Sequence, residues 1–394
     1  MPNIDRRKAA EAAQRYAKDI LSTSSVDTSE EMLKRYMEPR YNMLFDRIHQ
    51  LPGGLKFLTD MRADLLDILA EQDRQTSQQT LYSVEKSLKN KLKKSMVGFL
   101  TLSRVTWQSS AEVLEKRCML SLTGTISKGW RHRHYMNAAL ALYILDRRLG
   151  PDRRVFAFFF HNLPTEPLVF VHVALVPHMS RSVQSILQEP LPAKYSHADF
   201  NCAVCYSITT RLGLGGINLG NFLIKRVVRD LKREFPQVNT FATLSPLPTF
   251  RKWLMDHVHE PDIQKQFEES VGENWKEKLE HFNGDDKMKN VLMSLCSRYV
   301  LQEKRSNRLA FDPVANFHLR NGACAHQLHW MADTSDKGFQ ESFGIMINYN
   351  YLPDYVELNN RQYLADGTIS ISEPRSDCEG WLSKGIGAGV KYVS

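Results

Sequence analysis

The sequence predicts an α+β fold, in which a helical N-terminal bundle precedes a mixed α/β domain. Residues 1–103 carry apolar side chains at helical spacing. From residue 154 the chain turns to short runs rich in aromatic and β-branched residues, as strands are. Residues 201–248 read as strand, glycine-rich turn, helix and strand. We therefore expect a scaffolding or oligomer-forming domain over residues 1–103 and a second domain over residues 104–394.

Composition limits the class of protein. The chain has 394 residues, 42% of them hydrophobic, and 52 basic against 44 acidic residues give a net charge of +8. The excess suits nucleic acid, anionic lipid or a polyanionic small molecule, but no long basic tail is present. No apolar run approaches the roughly 18 residues that a membrane span needs, and the six sparse cysteines predict reduced thiols inside a cell. Cys202 and Cys205 fall on opposite faces of a strand, so they do not form a metal or redox pair.

The N-terminal region shows the helical period most clearly around residue 60. Leu58, Met61 and Leu65 follow i, i+3, i+4 spacing, and Arg62 is the polar intrusion in that stripe. The sequence Pro-Gly-Gly at 52–54 separates this helix from an earlier one. Antiparallel packing of such helices predicts a bundle without catalytic residues.

After the N-terminal region the sequence pattern changes from segment to segment. Residues 118–137 have no clean period and suggest an insertion loop. Residues 155–160 and 168–176 are apolar runs separated by a Pro-containing turn, which predicts a hairpin. Farther on, residues 251–304 read as helices and 343–351 as a late strand, whereas the polar chain after about 360 predicts weak order.

The stretch 201–248 organises the second domain. An alternating run at 202–210 predicts a strand, and the glycine-rich turn leads into a helix whose apolar stripe ends at Phe235. A glycine loop at a helix start exposes N–H groups to anions. The loop lacks the Walker pattern, and Asn218 stands where G-x-G-x-x-G needs its third glycine. Phosphate binding and a tight structural turn both remain open.

Two residues are candidates for chemistry. Ser245 ends a predicted strand in LSPLP, which is not a nucleophile elbow and also fits a plain turn serine. His318 can exchange a proton near neutral pH. No metal-binding spacing such as H-E-x-x-H occurs. Four other histidines compete with His318 for such a role: His161, His172, His326 and His329.

Several segments together resemble the malonyl-CoA decarboxylase family. They run in family order over most of residues 30–355. The matching stretches are YNMLFDRIHQLPGGLKFLTDMRADLL (41–66), VTW (105–107), EPLVFVHVAL (166–175), GGINLGNFLIKRVVRDLKREFP (215–236), LSPLP (244–248), DPVANFHLRNGA (312–323), WMAD (330–333) and NYNY (348–351).

The resemblance implies a fold, a substrate and a site. The family has helices first and then a catalytic domain similar to the GCN5-related N-acetyltransferase fold, whose glycine loop holds the CoA pyrophosphate. The substrate-binding residues it implies for malonyl-CoA are Gly215, Gly216, Ile217, Asn218, Leu219, Gly220, Asn221, Ser245, His318 and Tyr351.

The family reaction converts malonyl-CoA to acetyl-CoA and CO2, and so controls the malonyl-CoA available to fatty acid synthesis and oxidation. No metal or other cofactor is implied, because the thioester itself accepts the electrons. The resemblance makes Ser245 and His318 catalytic. His318 would protonate the carbanion, Ser245 would hydrogen-bond the carboxylate or thioester oxygen, and Tyr351 would donate a hydrogen bond near the acyl group.

The sequence departs from the family in three places. Asn218 replaces a family glutamate and cannot act as an acid or base. The segment 118–137 is long, and the chain after about 355 ends differently, without a Ser-Lys-Leu peroxisomal signal. A homo-oligomer in the mitochondrial matrix or cytoplasm is implied, with the peroxisome disfavoured.

Three other functions remain as alternatives. An acyl-CoA-dependent acyltransferase would share the loop and helix but needs an acceptor site. Asn218 motivates a weakly active acyl-CoA-binding protein. The net charge alone motivates nucleic-acid binding, which we do not expect.

Overall fold

The computed structural model describes residues 41–71, 78–96, 100–105, 150–160, 168–188, 196, 199–211, 213–214, 220–372 and 380–393. The chain divides into two compact units, residues 1–95 and 96–394. Helices in the first unit and a mixed sheet with helices in the second confirm the predicted α+β class.

The described part of the first unit is helical. Leu58, Leu88 and Leu92 are fully buried along its apolar stripes. Arg62, the polar intrusion in the sequence pattern, is also buried, and its guanidinium pairs with Glu85 at 2.6 Å. A buried arginine with a matched carboxylate links two helices, whereas an unpaired one would destabilise them. The helices are α1 (Tyr41–Gln50), α2 (Gly54–Glu71) and α3 (Gln78–Met96).

The second unit is built on one mixed sheet of ten described strands. Its order is β1-β2-β3-β4-β5-β8-β7-β9-β10, and β6 pairs with β8 beside β5. Neighbours are antiparallel except for three parallel pairs, β4 with β5, β7 with β9 and β9 with β10. The strands are β1 (Leu100–Val105), β2 (Arg153–Phe160), β3 (Val169–Val176), β4 (Cys202–Thr210), β5 (Thr240–Thr243), β6 (Ser245–Pro246), β7 (Cys324–His329), β8 (Met346–Asn350), β9 (Ile369–Ile371) and β10 (Val390–Tyr392).

Helices flank this sheet. None of the described helices is long and apolar enough to cross a bilayer. A short 3₁₀ turn, Asp286–Met288, joins two of them. They are α4 (Val183–Gln188), α5 (Gly220–Glu234), α6 (Phe250–His257), α7 (Pro261–Val271), α8 (Trp275–Glu280), α9 (Lys289–Leu301), α10 (Pro313–Arg320), α11 (Asp336–Ser342), α12 (Val356–Asp366) and α13 (Trp381–Lys384).

The predicted βαβ unit is present. Parallel strands β4 and β5 are connected through α5, whose Ile224, Val227 and Leu231 are buried as the apolar stripe requires. The hairpin predicted over 155–176 is the antiparallel pair β2–β3. The segments 215–219 and 118–137 lie outside the described residues.

Three expectations about secondary structure were wrong. Two concern where an element begins or ends, and the third concerns the C-terminal region. Residues 100–103 are not helical, because β1 pairs antiparallel with β2 and Leu100 lies opposite Phe160. The late strand begins at Met346 instead of residue 343, because Phe343 and Gly344 have φ of 55° and 78° and end α11. These left-handed residues cannot continue a strand.

The chain after residue 360 was expected to be weakly ordered, and its described part is not. It completes α12 and forms β9, α13 and β10. Ile369, Ile371 and Leu382 are fully buried. Ile369 and Ile371 alternate with polar residues over only five positions, which is a weak strand pattern in a polar tail, and pairing within the sheet orders them. Leu382 is buried in α13.

Candidate active site

Three chain segments place polar side chains at one point of the second unit. Ser245 lies in β6, His318 in the last turn of α10, and Tyr351 directly after β8. Pairing of β6 with β8 brings the first and third segments together, with Ser245 opposite Ile347. The backbone N–H of Tyr351 also bonds the carbonyl of Phe241 at 2.8 Å.

The helix that carries His318 is fixed at both ends. Asp312 is its N-cap, and its Oδ1 accepts hydrogen bonds from the N–H groups of Val314 and Ala315, both at 2.8 Å. After the helix, Gly322 has φ of +83°, and a Cβ there would lie 2.0 Å from the carbonyl oxygen of Val356. Only glycine fits this turn, which leads the chain into β7.

The three side chains form one hydrogen-bonded chain. Ser245 Oγ lies 3.0 Å from His318 Nε2, and His318 Nδ1 lies 2.9 Å from the Tyr351 hydroxyl. All three are buried, with 4%, 3% and 6% of their surfaces exposed. Tyr349 stacks on the imidazole, with ring centroids 4.7 Å apart and planes at 25°, which fixes the plane of the ring. The histidine therefore has one orientation and two defined partners.

Burial determines the protonation states of these hydrogen-bonded side chains. It lowers the pKa of His318 to about 3, so the imidazole is neutral at physiological pH. Burial also raises the pKa of Tyr351 well above its ordinary value, so the phenol keeps its proton. Nδ1 of His318 is the hydrogen-bond partner of that phenol among the described residues. A phenol proton donated to Nδ1 leaves the single imidazole proton on Nε2, facing Ser245.

A cavity of about 530 Å³ opens beside Ser245 and His318. Phe170, Ile208 and Phe317 contribute apolar walls to it. Among its described lining residues Lys337 is the sole lysine or arginine, and no aspartate or glutamate occurs. The cavity therefore suits a ligand that combines apolar and anionic parts.

No group of three or more His, Cys, Asp or Glu side chains in the described part of the chain is arranged to hold a metal ion. Cys205 lines the cavity, but burial raises the pKa of its thiol to about 12. That thiol therefore stays protonated and is a poor nucleophile or metal ligand.

The structure places Ser245, His318 and Tyr351, three of the residues in the substrate site that the resemblance implies, within hydrogen-bond distance of one another. Residues 215–219 of the expected substrate loop lie outside the described residues, as does the side chain of Asn221, whereas the backbone of Gly220 begins α5. Among the competing histidines, His172 lines the same cavity, and His326 and His329 do not. His161 lies outside the described residues.

Sequence reasoning missed two residues of this site. Thr243 contacts Ser245 through its hydroxyl at 2.8 Å, and the T-x-S spacing along the strand was the available signal, because alternate residues share a face. Lys337 lines the cavity from α11, and nothing in its local sequence distinguished it from other surface lysines.

Comparisons with known proteins agree along most of the chain. Residues 3–94 match the malonyl-CoA decarboxylase N-terminal domain, and residues 98–378 match the malonyl-CoA decarboxylase C-terminal domain. The chain is 35% identical over 370 residues to the mitochondrial malonyl-CoA decarboxylase of Anser anser anser, covering 88% of this chain and 70% of the relative. The mitochondrial enzyme of Rattus norvegicus is 36% identical, with 88% and 72% covered.

Solved structures give the same result. The malonyl-CoA decarboxylase of Rhodopseudomonas palustris superposes with a TM-score of 0.71 at 31% identity, covering 96% of this chain and 86% of that one. For the malonyl-CoA decarboxylase of Cupriavidus metallidurans the TM-score is 0.67 at 31% identity, with 94% and 93% covered.

Proposed function

The chain belongs to the malonyl-CoA decarboxylase family and is a carboxy-lyase that converts malonyl-CoA to acetyl-CoA and CO2, and we propose that Ser245, His318 and Tyr351 are its reaction centre. The observation that carries this proposal is the buried hydrogen-bonded chain from Ser245 Oγ through both nitrogens of His318 to the Tyr351 hydroxyl. The acyltransferase alternative is not favoured, since the relatives and solved structures named above are decarboxylases.

The reaction breaks one bond and forms one. The bond between the α-carbon and the carboxylate of the malonyl group breaks, its electron pair moves into the thioester, and CO2 leaves. The resulting enolate must be stabilised at oxygen and protonated at carbon. Apolar walls such as Phe170 and Phe317 favour the first step, because a carboxylate in dry surroundings loses the hydration that stabilises its charge.

His318 supplies the proton. Its neutral imidazole holds that proton on Nε2, the nitrogen that bonds Ser245, and both residues line the cavity. As Nε2–H passes to the α-carbon, Tyr351 O–H passes to Nδ1, so the imidazole stays neutral and the phenol becomes a phenolate. An enolate carbon is far more basic than a phenolate, so the transfer runs downhill. Solvent returns the proton to Tyr351 after the product leaves.

Ser245 orients the substrate. Its hydroxyl lines the cavity next to His318, where it can hydrogen-bond the malonyl carboxylate or the thioester oxygen. A hydroxyl at the thioester oxygen stabilises the negative charge that develops there.

The CoA portion binds outside this centre. We place its pyrophosphate on the segment Gly215–Asn221, whose last two residues begin α5, because the N–H groups at the start of a helix have no helical partners. Lys337 lies at the cavity and adds a positive charge for the same anionic ligand. Asn218 in this loop replaces a family glutamate, and Asn218→Glu tests whether that position limits kcat.

We also propose a cellular compartment and an oligomeric state for this protein. The matched animal relatives are mitochondrial proteins, and we place this chain in the mitochondrial matrix or the cytoplasm. We further expect a homo-oligomer, with the helices of the first unit as the contact region.

The test is CO2 release by the purified chain from malonyl-CoA without any acceptor. His318→Gln should lower kcat by about a hundredfold or more, the range for loss of a positioned proton donor. Ser245→Ala should lower kcat by about a hundredfold, the range for loss of a hydrogen-bond donor to a developing oxyanion. Ser342→Ala and His257→Gln are the matched controls, since both residues are bonded to backbone carbonyls elsewhere in the same unit. Full rates in both active-centre variants would overturn the assigned roles, and acyl transfer only in the presence of an amine would restore the acyltransferase alternative.

A further inference from the structure

Ser245 has a second partner besides His318. Its hydroxyl donates a hydrogen bond to Oγ1 of Thr243 at 2.8 Å, two residues earlier in the chain. Thr243 is 1% exposed and does not line the cavity, so it does not touch a ligand bound there. Thr243 can therefore influence the reaction only through the neighbours that it contacts, among them Ser245 through its hydroxyl and Tyr349 through its backbone N–H.

Thr243 is held firmly in this position. The backbone N–H of Tyr349 donates to its Oγ1 at 3.3 Å, and the Nδ2 group of Asn348 donates to its carbonyl oxygen at 2.8 Å. Asn348 is itself fully buried, and its Oδ1 is bonded to Nε2 of His329. A β-branched side chain has few rotamers, which adds to this fixation.

These contacts determine the direction of the hydrogen bonds. Oγ1 of Thr243 uses its two lone pairs for the Tyr349 N–H and the Ser245 O–H. In the substrate-free site the Ser245 proton is committed to Thr243, so Ser245 Oγ accepts from His318 Nε2, and this proton becomes available to the substrate only when the ligand binds. Tyr351 imposes the same tautomer from the other side of the ring, by donating to Nδ1.

We propose that Thr243 is a positioning residue that keeps the Ser245 proton turned away from His318, and thereby keeps the proton-donating Nε2–H tautomer in the substrate-free enzyme. The inference deepens the proposed function and rests on its assignment of Ser245 and His318. It also separates this site from a hydrolase. In a nucleophilic serine site the hydroxyl donates to the imidazole, which then acts as base, whereas here the imidazole donates to the hydroxyl.

The loss of Thr243 has a defined consequence. In Thr243→Val the shape is retained but the acceptor is lost, so the Ser245 hydroxyl is free to turn towards Nε2. Tyr351 still favours Nε2–H, and a mixture of tautomers results. One hydrogen bond of ordinary net strength corresponds to a five- to tenfold effect, so kcat should fall by about that factor. KM should change less than twofold, because Thr243 does not contact the ligand.

The experiment combines spectroscopy with kinetics. The ¹⁵N shifts of the His318 imidazole, assigned by their loss in His318→Gln, report the tautomer in the substrate-free protein, and CO2 release gives kcat and KM. Thr243→Ser keeps the hydroxyl and should behave as the unmodified chain in both measurements. Thr240→Val is the control, since Thr240 lies in the same strand with its hydroxyl bonded to Asn239.

Retention of pure Nε2–H in Thr243→Val, with kcat within twofold of Thr240→Val, would overturn the proposal. An equal loss of kcat in Thr243→Ser would also overturn it, because the hydroxyl would then not be the cause. If Thr243→Val did not fold by circular dichroism and thermal melting, Thr243→Ala takes its place with the same expected outcomes. Failure of the unmodified chain to release CO2 would refute the proposed function, while the tautomer measurement would still decide the role of Thr243.

Discussion

Asp312 caps the start of the helix that carries His318 in its last turn. The Asp312 carboxylate caps α10 through Oδ1, and its Oδ2 accepts hydrogen bonds from the hydroxyls of Tyr299 at 3.0 Å and Thr249 at 3.2 Å. The carboxylate is fully buried, and burial raises its pKa. The position of the imidazole in the active site thus depends on a buried carboxylate almost two helical turns away.

Asp312→Ala should therefore impair both stability and catalysis. Loss of an N-cap costs about 1–2 kcal/mol, and the freed hydroxyls of Tyr299 and Thr249 lose an acceptor as well. Thermal melting measures the first effect and CO2 release the second. Asp285→Ala is the control, because Asp285 caps a short 3₁₀ turn away from His318. An Asp312→Ala protein with unchanged kcat would show that the cap does not position the imidazole.

Burial of His318 predicts a pH dependence of stability. The folded-state pKa is about 3, against an ordinary value of 6.5. Since the unfolded chain binds the proton first, stability from this group is present above pH 6.5 and is lost as the pH falls towards 3. Between pH 7.5 and 5 the loss is about 2 kcal/mol by linkage.

His318→Gln should remove that component. Denaturant unfolding at pH 7.5 and at pH 5 should show a difference between the two pH values that is smaller by about 2 kcal/mol in the variant. His259→Gln serves as the control, since His259 is exposed. Identical pH dependence in His318→Gln and the unmodified chain would contradict the neutral, buried imidazole.

Tyr351→Phe should lower kcat with little change in KM. The variant loses the donor to Nδ1 and the proton that replaces the one given to substrate. Loss of the hydrogen bond alone corresponds to about a tenfold decrease, and loss of the proton source increases the effect. Tyr392→Phe, at an exposed tyrosine, should leave the steady-state kinetics of CO2 release unchanged. A rise in KM at constant kcat would assign Tyr351 to substrate binding instead.

Lys337→Ala should weaken substrate binding without slowing the chemistry. An exposed lysine near an anion contributes about 1 kcal/mol, which is about a fivefold rise in KM. Lys265 offers a matched control, because both lysines contact a glutamate four residues later at 3.7 Å and both side chains are largely exposed. If Lys265→Ala raised KM equally, the effect would come from overall charge and not from the cavity. High salt should diminish the difference.

Prediction from sequence succeeded where periodicity is strong and local. The apolar stripe of α5 and the strand β4 both appeared at the expected residues, although Cys202, Ala203 and Val204 of β4 are buried in succession instead of alternately. It failed where isolated residues rely on distant partners. Ile369 and Ile371 alternate with polar residues over only five positions, and their burial comes from pairing with distant strands of the sheet.

The active site shows the same difference between what a local pattern predicts and what depends on distant partners. Ser245 and His318 came from the family resemblance, since neither has a local pattern that singles it out among serines and histidines. Thr243 had a local signal in its spacing from Ser245, but its role became visible only with the contacts from Tyr349 and Asn348. Hydrogen-bond direction depends on burial and on all the neighbours together, which a linear pattern does not contain.

The insertion of β8 between β5 and β7 has a consequence for refolding. Residues more than 100 positions apart, such as Ala242 and Asn350, must pair before Ser245 and Tyr351 meet around His318. Contacts of such long sequence separation form slowly, whereas α5, α9 and the β2–β3 hairpin involve neighbouring residues. After dilution from denaturant, far-ultraviolet ellipticity should return before CO2 release does, and the interval between the two recoveries measures the closing of the central strand.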